Sequence, residues 1–332
     1  MIRRSAIAAA IALLVAGCSR PAPSTAPAVT AASAKPAGTP KVAVVISTLN
    51  NPWFVVLGET AKARAEELGY EATIFNSEND TAKEASHFEN ALAGGYQAIL
   101  FNATDSDGSI ANVRKAKAAG VPVFCIDREI NATDAATSQI LSDNHGGCVA
   151  LGQAFVEQLG EKGTYVEILG YLGDNNAHNR SKGFHEVVDS FPDLKMVAQQ
   201  AADFDRAKAL EVMETLLQKH GDGLDAVFCG NDSMAMGAYQ AVSAAGRDDV
   251  KVFGFDGADE VVKLIAEKKI AATGMQFPKK MARQAAEYAD EWIKGKRDFP
   301  QKIPVAVEVV TAENVGEYGD YGAKDDSRPA RN

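Results

Sequence analysis

Apolar runs over 42–46, 98–101, 123–126, 226–230, 252–255 and 270–275 each end on polar residues, in turn Ser47, Asn102, Asp127-Arg128, Asn231, Asp256 and Gln276. Each run is followed by a stretch of helical periodicity, so the strands are expected to be parallel. In open parallel sheets ligands bind outside the carboxyl ends of the strands, and the polar residues therefore point to one cleft. Strands are expected over 42–47, 72–76, 97–102, 122–126, 164–169, 195–200, 225–229, 251–255, 270–275 and 303–309. Helices are expected over 53–69, 82–94, 108–119, 144–161, 178–191, 205–219, 232–246, 258–268 and 278–294. This alternation predicts an α/β protein of two doubly wound lobes with parallel sheets, breaking near Ser142-Asp143-Asn144.

Composition narrows the class. The chain has 332 residues, 46% of them hydrophobic, enough for two cores, and a net charge of −10 that disfavours nucleic acid as a partner. The N-terminus carries an export signal: Met1-Ile2-Arg3-Arg4 is basic, 6–14 is an apolar run too short to span a bilayer, and Val15-Ala16-Gly17-Cys18 resembles a lipobox. Residues 1–17 are expected to be removed, leaving Cys18 lipid-modified and the chain anchored to a membrane in the cell envelope. Residues 18–40, rich in Pro, Ala and Thr, are too poor in large apolar groups to order themselves and read as a tether. Cys125 and Cys229 lie in apolar runs and Cys148 at a helix start, a pattern of buried packing thiols.

Catalytic signals are weak. His87, His145, His178, His185 and His220 have no zinc-site spacing, and Asn76-Ser77-Glu78-Asn79-Asp80 lacks the full calcium-loop pattern. There is no G-x-S-x-G, Walker loop or G-x-G-x-x-G. No metal, no cofactor and no enzymatic activity are expected. The strand-end set offers amides, a hydroxyl, carboxylates and guanidinium groups but no His or Cys, which suits holding a polyol.

A family resemblance rests on several segments in order: 44–54 (Val-Val-Ile-Ser-Thr-Leu-Asn-Asn-Pro-Trp-Phe), 102–107 (Asn-Ala-Thr-Asp-Ser-Asp), Ile126-Asp127-Arg128, 202–206 (Ala-Asp-Phe-Asp-Arg), 231–235 (Asn-Asp-Ser-Met-Ala), 254–257 (Gly-Phe-Asp-Gly) and Gln276-Phe277-Pro278. Over about residues 41–313 the chain resembles periplasmic sugar-binding proteins of the ribose-binding type, the substrate-binding components of ABC transporters, with a type I periplasmic binding fold. The resemblance implies ligand contacts from Ser47, Asn51, Trp53, Phe54, Asp127 and Arg128 in the first half, and from Arg180, Phe204, Asn231, Asp256 and Gln276 in the second. Trp53 departs from the Phe of the ribose binder, and 175–179 also differs. The resemblance further implies a three-crossing hinge, with lobes at 41–142 plus 277–305 and 143–276 plus 306–318, and a flexible tail at 319–332.

The chemistry fits such contacts. Asp127 and Asp256 accept from sugar hydroxyls, Arg128 and Arg180 donate, and Asn51, Asn231 and Gln276 do both. Trp53, Phe54 and Phe204 supply flat apolar walls for C–H faces. Each residue also has a plainer reading: Asn51-Pro52 starts a helix, Asp127-Arg128 is a surface ion pair, Asp205 and Asn231 or Asp232 cap helices, and Phe204 is a staple.

Three functions compete on these residues. The implied one is a monomeric receptor that closes on a monosaccharide, D-ribose or a similar pentose, and delivers it to an ABC permease and its ATPase. A periplasmic sensor presenting bound sugar to a chemoreceptor or sensor kinase uses the same residues. A regulator of the lac-repressor type shares the core but needs an N-terminal helix-turn-helix where this chain has a signal and tether.

Overall fold

The computed structural model describes residues 38–324. The signal, Cys18 and nearly all of the expected tether lie outside the described residues. In chain order, the first stretch contains β1 (Lys41–Ile46), α1 (Pro52–Glu67), β2 (Glu71–Asn76), α2 (Thr81–Ala93), β3 (Ala98–Phe101), α3 (Ile110–Ala118), β4 (Val123–Ile126) and β5 (Ser138–Ser142). The second contains α4 (Asn144–Leu159), β6 (Gly163–Leu169), α5 (Asn175–Val188), β7 (Leu194–Ala201), α6 (Arg206–His220), β8 (Ala226–Cys229), α7 (Asp232–Ala244), β9 (Lys251–Asp256), α8 (Asp259–Ala266) and β10 (Ala272–Met275). Then follow α9 (Pro278–Ile293), β11 (Lys302–Val305), β12 (Glu308–Thr311), β13 (Tyr318–Gly319) and β14 (Gly322–Ala323).

The strands form two six-stranded sheets, ordered β2-β1-β3-β4-β5-β11 and β7-β6-β8-β9-β10-β12. Every pair in the first sheet is parallel, and the second departs only at its edge, where β12 runs antiparallel to β10. Inner strands such as Val-Phe-Cys-Ile in β4 and Ala-Val-Phe-Cys in β8 are buried at every position. Helices cover both faces of each sheet, so these strands have no polar side to show. Each lobe accordingly has two core clusters, one per face. In the first, Val42, Val44 and Ile46 pack with Met281, Ala282, Ala285 and Ala286 of α9 on one side, while Ala43, Val45, Phe88 and Phe101 pack on the other.

The chain passes between the sheets three times: from β5 into α4, from β10 into α9, and from β11 into β12. The last passage corrects the single strand expected over 303–309. Ala306-Val307 interrupts it, and its halves join different sheets. Gly147 lies against this passage, where an added Cβ would stand 2.6 Å from Val307. A second correction concerns 319–324, assigned above to a flexible tail. Tyr318–Gly319 pairs with Gly322–Ala323, Tyr318 is buried, and Lys279 forms an ion pair with Asp320. Cys125, Cys148 and Cys229 are buried and unpaired.

Candidate functional site

Six helices in the described residues begin with an Asn or Asp whose side chain accepts a backbone N–H: Asn51, Asp80, Asp143, Asp174, Asp205 and Asn231. Such caps occupy the strand-to-helix turns, which are also where a doubly wound fold opens its cleft. Capping and lining therefore coincide. Asn51 Oδ1 accepts from Trp53 N at 2.9 Å and Asn231 Oδ1 from Met234 N at 2.9 Å, while both residues line one cavity between the sheets.

Twelve residues line that cavity: Asn51, Trp53, Phe54, Asp127 and Arg128 from the first lobe, and Asp174, Asn176, Arg180, Phe204, Asn231, Asp256 and Gln276 from around the second. Trp53 and Phe54 meet edge to face with centroids 5.4 Å apart, and Phe204 faces them from the other lobe. Phe204 occupies this place because residue 170 is Gly: a Cβ there would lie 2.1 Å from its ring.

The charged groups are buried and held at several points. Arg180 donates from Nε to Asn144 Oδ1 at 2.7 Å and from Nη1 to the Gly230 carbonyl at 2.8 Å. It also lies 3.4 Å from Asp256 Oδ1, with its guanidinium 4.1 Å from the Phe255 ring centroid. Gln276 Nε2 donates to Asp256 Oδ1 at 2.7 Å. In the first lobe Asn102 Nδ2 donates to Asp127 Oδ2 at 3.1 Å, and Arg128 lies 5.0 Å from the Phe54 ring centroid. Asp127, Phe204 and Asp256 hold φ of +64°, +61° and +136°. Such backbone states cost on the order of 1–3 kcal/mol each and concentrate at functional sites.

Bonds also cross the cleft. Arg128 Nε lies 2.8 Å from Asp174 Oδ2, and Asn176 Nδ2 donates to Asp127 Oδ1 at 3.3 Å. Outside the cavity, Ser106 N donates to the Gly173 carbonyl at 2.9 Å, and Asn175 Nδ2 to Asn131 Oδ1 at 2.7 Å. This is the closed arrangement of the two lobes. Burial pushes the Asp127 carboxyl up to about 7, helped by the Asp174 carboxylate and opposed by Arg180 and Arg128. Burial likewise raises Asp256, with Arg180 opposing. Three cavity-lining residues carry buried polar atoms with no hydrogen-bond partner in the protein, the Trp53 Nε1 and Arg128 Nε donors and the Gln276 Oε1 acceptor. Buried polar groups are ordinarily satisfied, so these are spare capacity for a polar guest.

Ten of the eleven residues named from sequence thus line one cavity. Ser47 is not among the residues that line it. Its hydroxyl donates to Asn102 Oδ1 at 2.6 Å, so it acts on Asp127 through Asn102. Asp127 and Arg128 are 2% and 4% exposed and do not form a surface ion pair. Asp174 and Asn176 were missed because α5 starts at Asn175, three residues before the expected start at 178. Gly173-Asp174 is the signal that marks the turn and its cap. Among the described residues no group of three or more His, Cys, Asp or Glu is placed to hold a metal, and no helix is long and apolar enough to cross a membrane.

Two parallel-sheet lobes, three passages and a polar cleft at the strand ends make a type I periplasmic binding fold. Residues 42–297 match the family model described as periplasmic binding protein domain, and the chain belongs to that family. It is 45% identical over 276 residues to the D-apiose import binding protein of Paraburkholderia graminis, covering 83% of this chain and 88% of that one. It is 39% identical over 269 residues to the ribose import binding protein of Salmonella typhimurium, covering 81% and 90%. Among solved structures it superposes with TM-score 0.81 and 26% identity on an ABC transporter solute-binding protein from Bacillus halodurans with bound myo-inositol, covering 86% and 99%. With the arabinose-transporter binding protein of Shewanella sp. ANA-3, bound to L-arabinofuranose, the TM-score is 0.79 at 27% identity, covering 83% and 93%.

Proposed function

We propose that this chain is the solute-binding component of an ABC importer for a monosaccharide, a pentose such as D-ribose or D-apiose. One observation carries the reading: carboxylates, guanidinium groups and amides from both lobes converge on one cavity, walled by Trp53, Phe54 and Phe204. Hydroxyls that donate and accept match the paired Asp and Arg groups, and C–H faces match the rings. The two relatives are named for the import of D-apiose and of ribose, both five-carbon sugars.

The mechanism follows from the placement. Neither lobe alone surrounds a sugar; Asp127 and Arg128 come from one, Arg180, Asn231 and Asp256 from the other. A ligand that satisfies both sets has higher affinity for the closed state and shifts the population toward it, with the three passages as hinge. The closed receptor then presents its sugar to a permease and its ATPase. The lipobox at Cys18 would hold it at a membrane face in the periplasm, tethered by residues 18–40.

The test is a thermal-shift panel of pentoses, hexoses and small polyols on the mature chain freed of carried-over ligand by refolding. A ligand that binds only the folded state raises the melting temperature. A rise confined to one or two pentoses supports the reading; no rise with any sugar removes it.

A further inference from the structure

The first turn of α5 puts two side chains into the cavity wall that no strand end supplies. Asp174 caps the helix by accepting from Asn176 N at 2.9 Å, and its Oδ2 lies 2.8 Å from Arg128 Nε. Asn176 is fixed by Asn144, whose Nδ2 donates to its Oδ1 at 3.0 Å, and it passes its own Nδ2 to Asp127 Oδ1 at 3.3 Å. All four residues of these two cross-cleft pairs are at most 4% exposed.

These bonds engage the groups a sugar would use. A carboxylate has about four acceptor sites and a guanidinium five N–H donors. In the closed cleft each Asp127 oxygen already accepts one amide, from Asn102 and from Asn176. Arg128 faces Asp174 through Nε and donates from Nη1 to the Ala103 carbonyl at 3.2 Å, while its plane lies over Phe54. The Asp174 carboxylate therefore crowds the Nε edge of the guanidinium, although the Nε–H itself makes no hydrogen bond within the protein, and a guest that approaches this edge meets Asp174 first. A larger or differently hydroxylated ligand has to displace Asn176 or Asp174, leaving Asp127 or Arg128 buried with a lost partner, and that penalty discriminates between ligands.

We propose that Asp174 and Asn176 are the specificity-determining residues of the cleft, admitting a pentose and rejecting six-carbon pyranoses and cyclitols by occupying space and hydrogen-bonding capacity beside Asp127 and Arg128. This rests on the sugar-binding reading above. It assigns selection to the α5 turn, whereas the strand-end residues supply affinity.

Calorimetric titration of the mature chain and two variants with D-ribose, D-apiose, D-allose and myo-inositol tests it. Asn176→Ala opens the wall, and Asp174→Asn keeps the helix cap while removing the charge that engages Arg128; melting curves establish that each variant is folded. The parent is expected to favour a pentose over both six-carbon ligands by roughly a hundredfold, and each variant to narrow that ratio at least roughly tenfold, whatever overall loss of affinity accompanies it. An unchanged ratio in the folded variants, including a uniform loss of every ligand, overturns the inference and leaves the sugar-binding reading standing. No heat from the parent with any of the four removes the reading itself, and this inference with it.

Discussion

Arg128 and Asp174 come from different lobes and meet with Nε 2.8 Å from Oδ2, both almost wholly buried. In an open cleft each would be hydrated, so the pair belongs to closure. Removing one partner of a buried pair strands the other charge, at roughly 3–5 kcal/mol. Asp174→Ala should therefore close less readily: with D-ribose or D-apiose at a concentration saturating the parent, X-ray scattering should give a larger radius of gyration for the variant. Identical compaction at identical sugar concentration would show that the pair contributes nothing to closure.

Affinity should reside in the charged residues of the wall. Arg180 is held by Asn144, Gly230 and Asp256, and Asp127 by Asn102 and Asn176, so truncating either leaves buried partners unpaired. We expect Arg180→Ala and Asp127→Ala each to weaken sugar binding by at least about 2 kcal/mol in calorimetry. His178→Ala serves as the contrast, since its exposed ring, paired with the Leu172 carbonyl at 2.8 Å, is not among the cavity-lining residues. If the first two variants bind like the parent, the cavity is not the binding site.

Much of this site was legible because strand ends and helix caps are local features of sequence. Asn231 illustrates the point: a polar residue closing an apolar run both caps α7 and lines the cleft, so a plain capping argument and a binding argument select the same residue. What sequence missed depends on tertiary placement. Asn176 enters the wall because α5 begins three residues earlier than its apolar pattern suggests. Its face is fixed by Asn144, 32 positions away. Ser47 shows the same dependence: it closes a strand as expected, but its hydroxyl is taken by Asn102 at the end of the neighbouring strand. The run 303–309 has strand-like residues throughout, so its local pattern reads as one strand; the lobe change near 305–307 is expected only from the family resemblance, and Gly147 leaves the room that Val307 occupies there.

Binding should depend on pH through Asp127. Burial and the Asp174 carboxylate raise its carboxyl to about 7 against the opposing Arg180 and Arg128. A sugar hydroxyl donating to the carboxylate favours the charged form, so the pKa in the complex lies below that of the free protein. Affinity is then constant above pH 7 and falls as pH drops through that value; Asp256, also raised by burial, adds in the same direction. Titrations at pH 8, 7, 6 and 5 check this, and a flat profile would mean the sugar does not draw on either carboxylate.

Stability should carry a separate pH signature from a cluster in the second lobe outside the cavity wall. His185 lies with Nε2 3.0 Å from Glu167 Oε2 and Nδ1 2.8 Å from Asp189 Oδ1. The Glu167 hydrogen bond, opposed by burial and supported by Asp189, lifts the imidazolium to about 9. A folded-state pKa above the unfolded value of about 6.5 means that the folded chain binds the proton more tightly. The contribution is thus fully present below pH 6.5 and is lost as pH rises through 9. His185→Gln should lower the melting temperature clearly at pH 6 and much less at pH 9.5, because by then the parent has lost the same interaction. Sugar affinity at pH 7 should be unaffected, since His185 is not among the cavity-lining residues. A deficit of equal size at both pH values would mean that the imidazole stabilises the lobe through packing and neutral hydrogen bonds instead of charge.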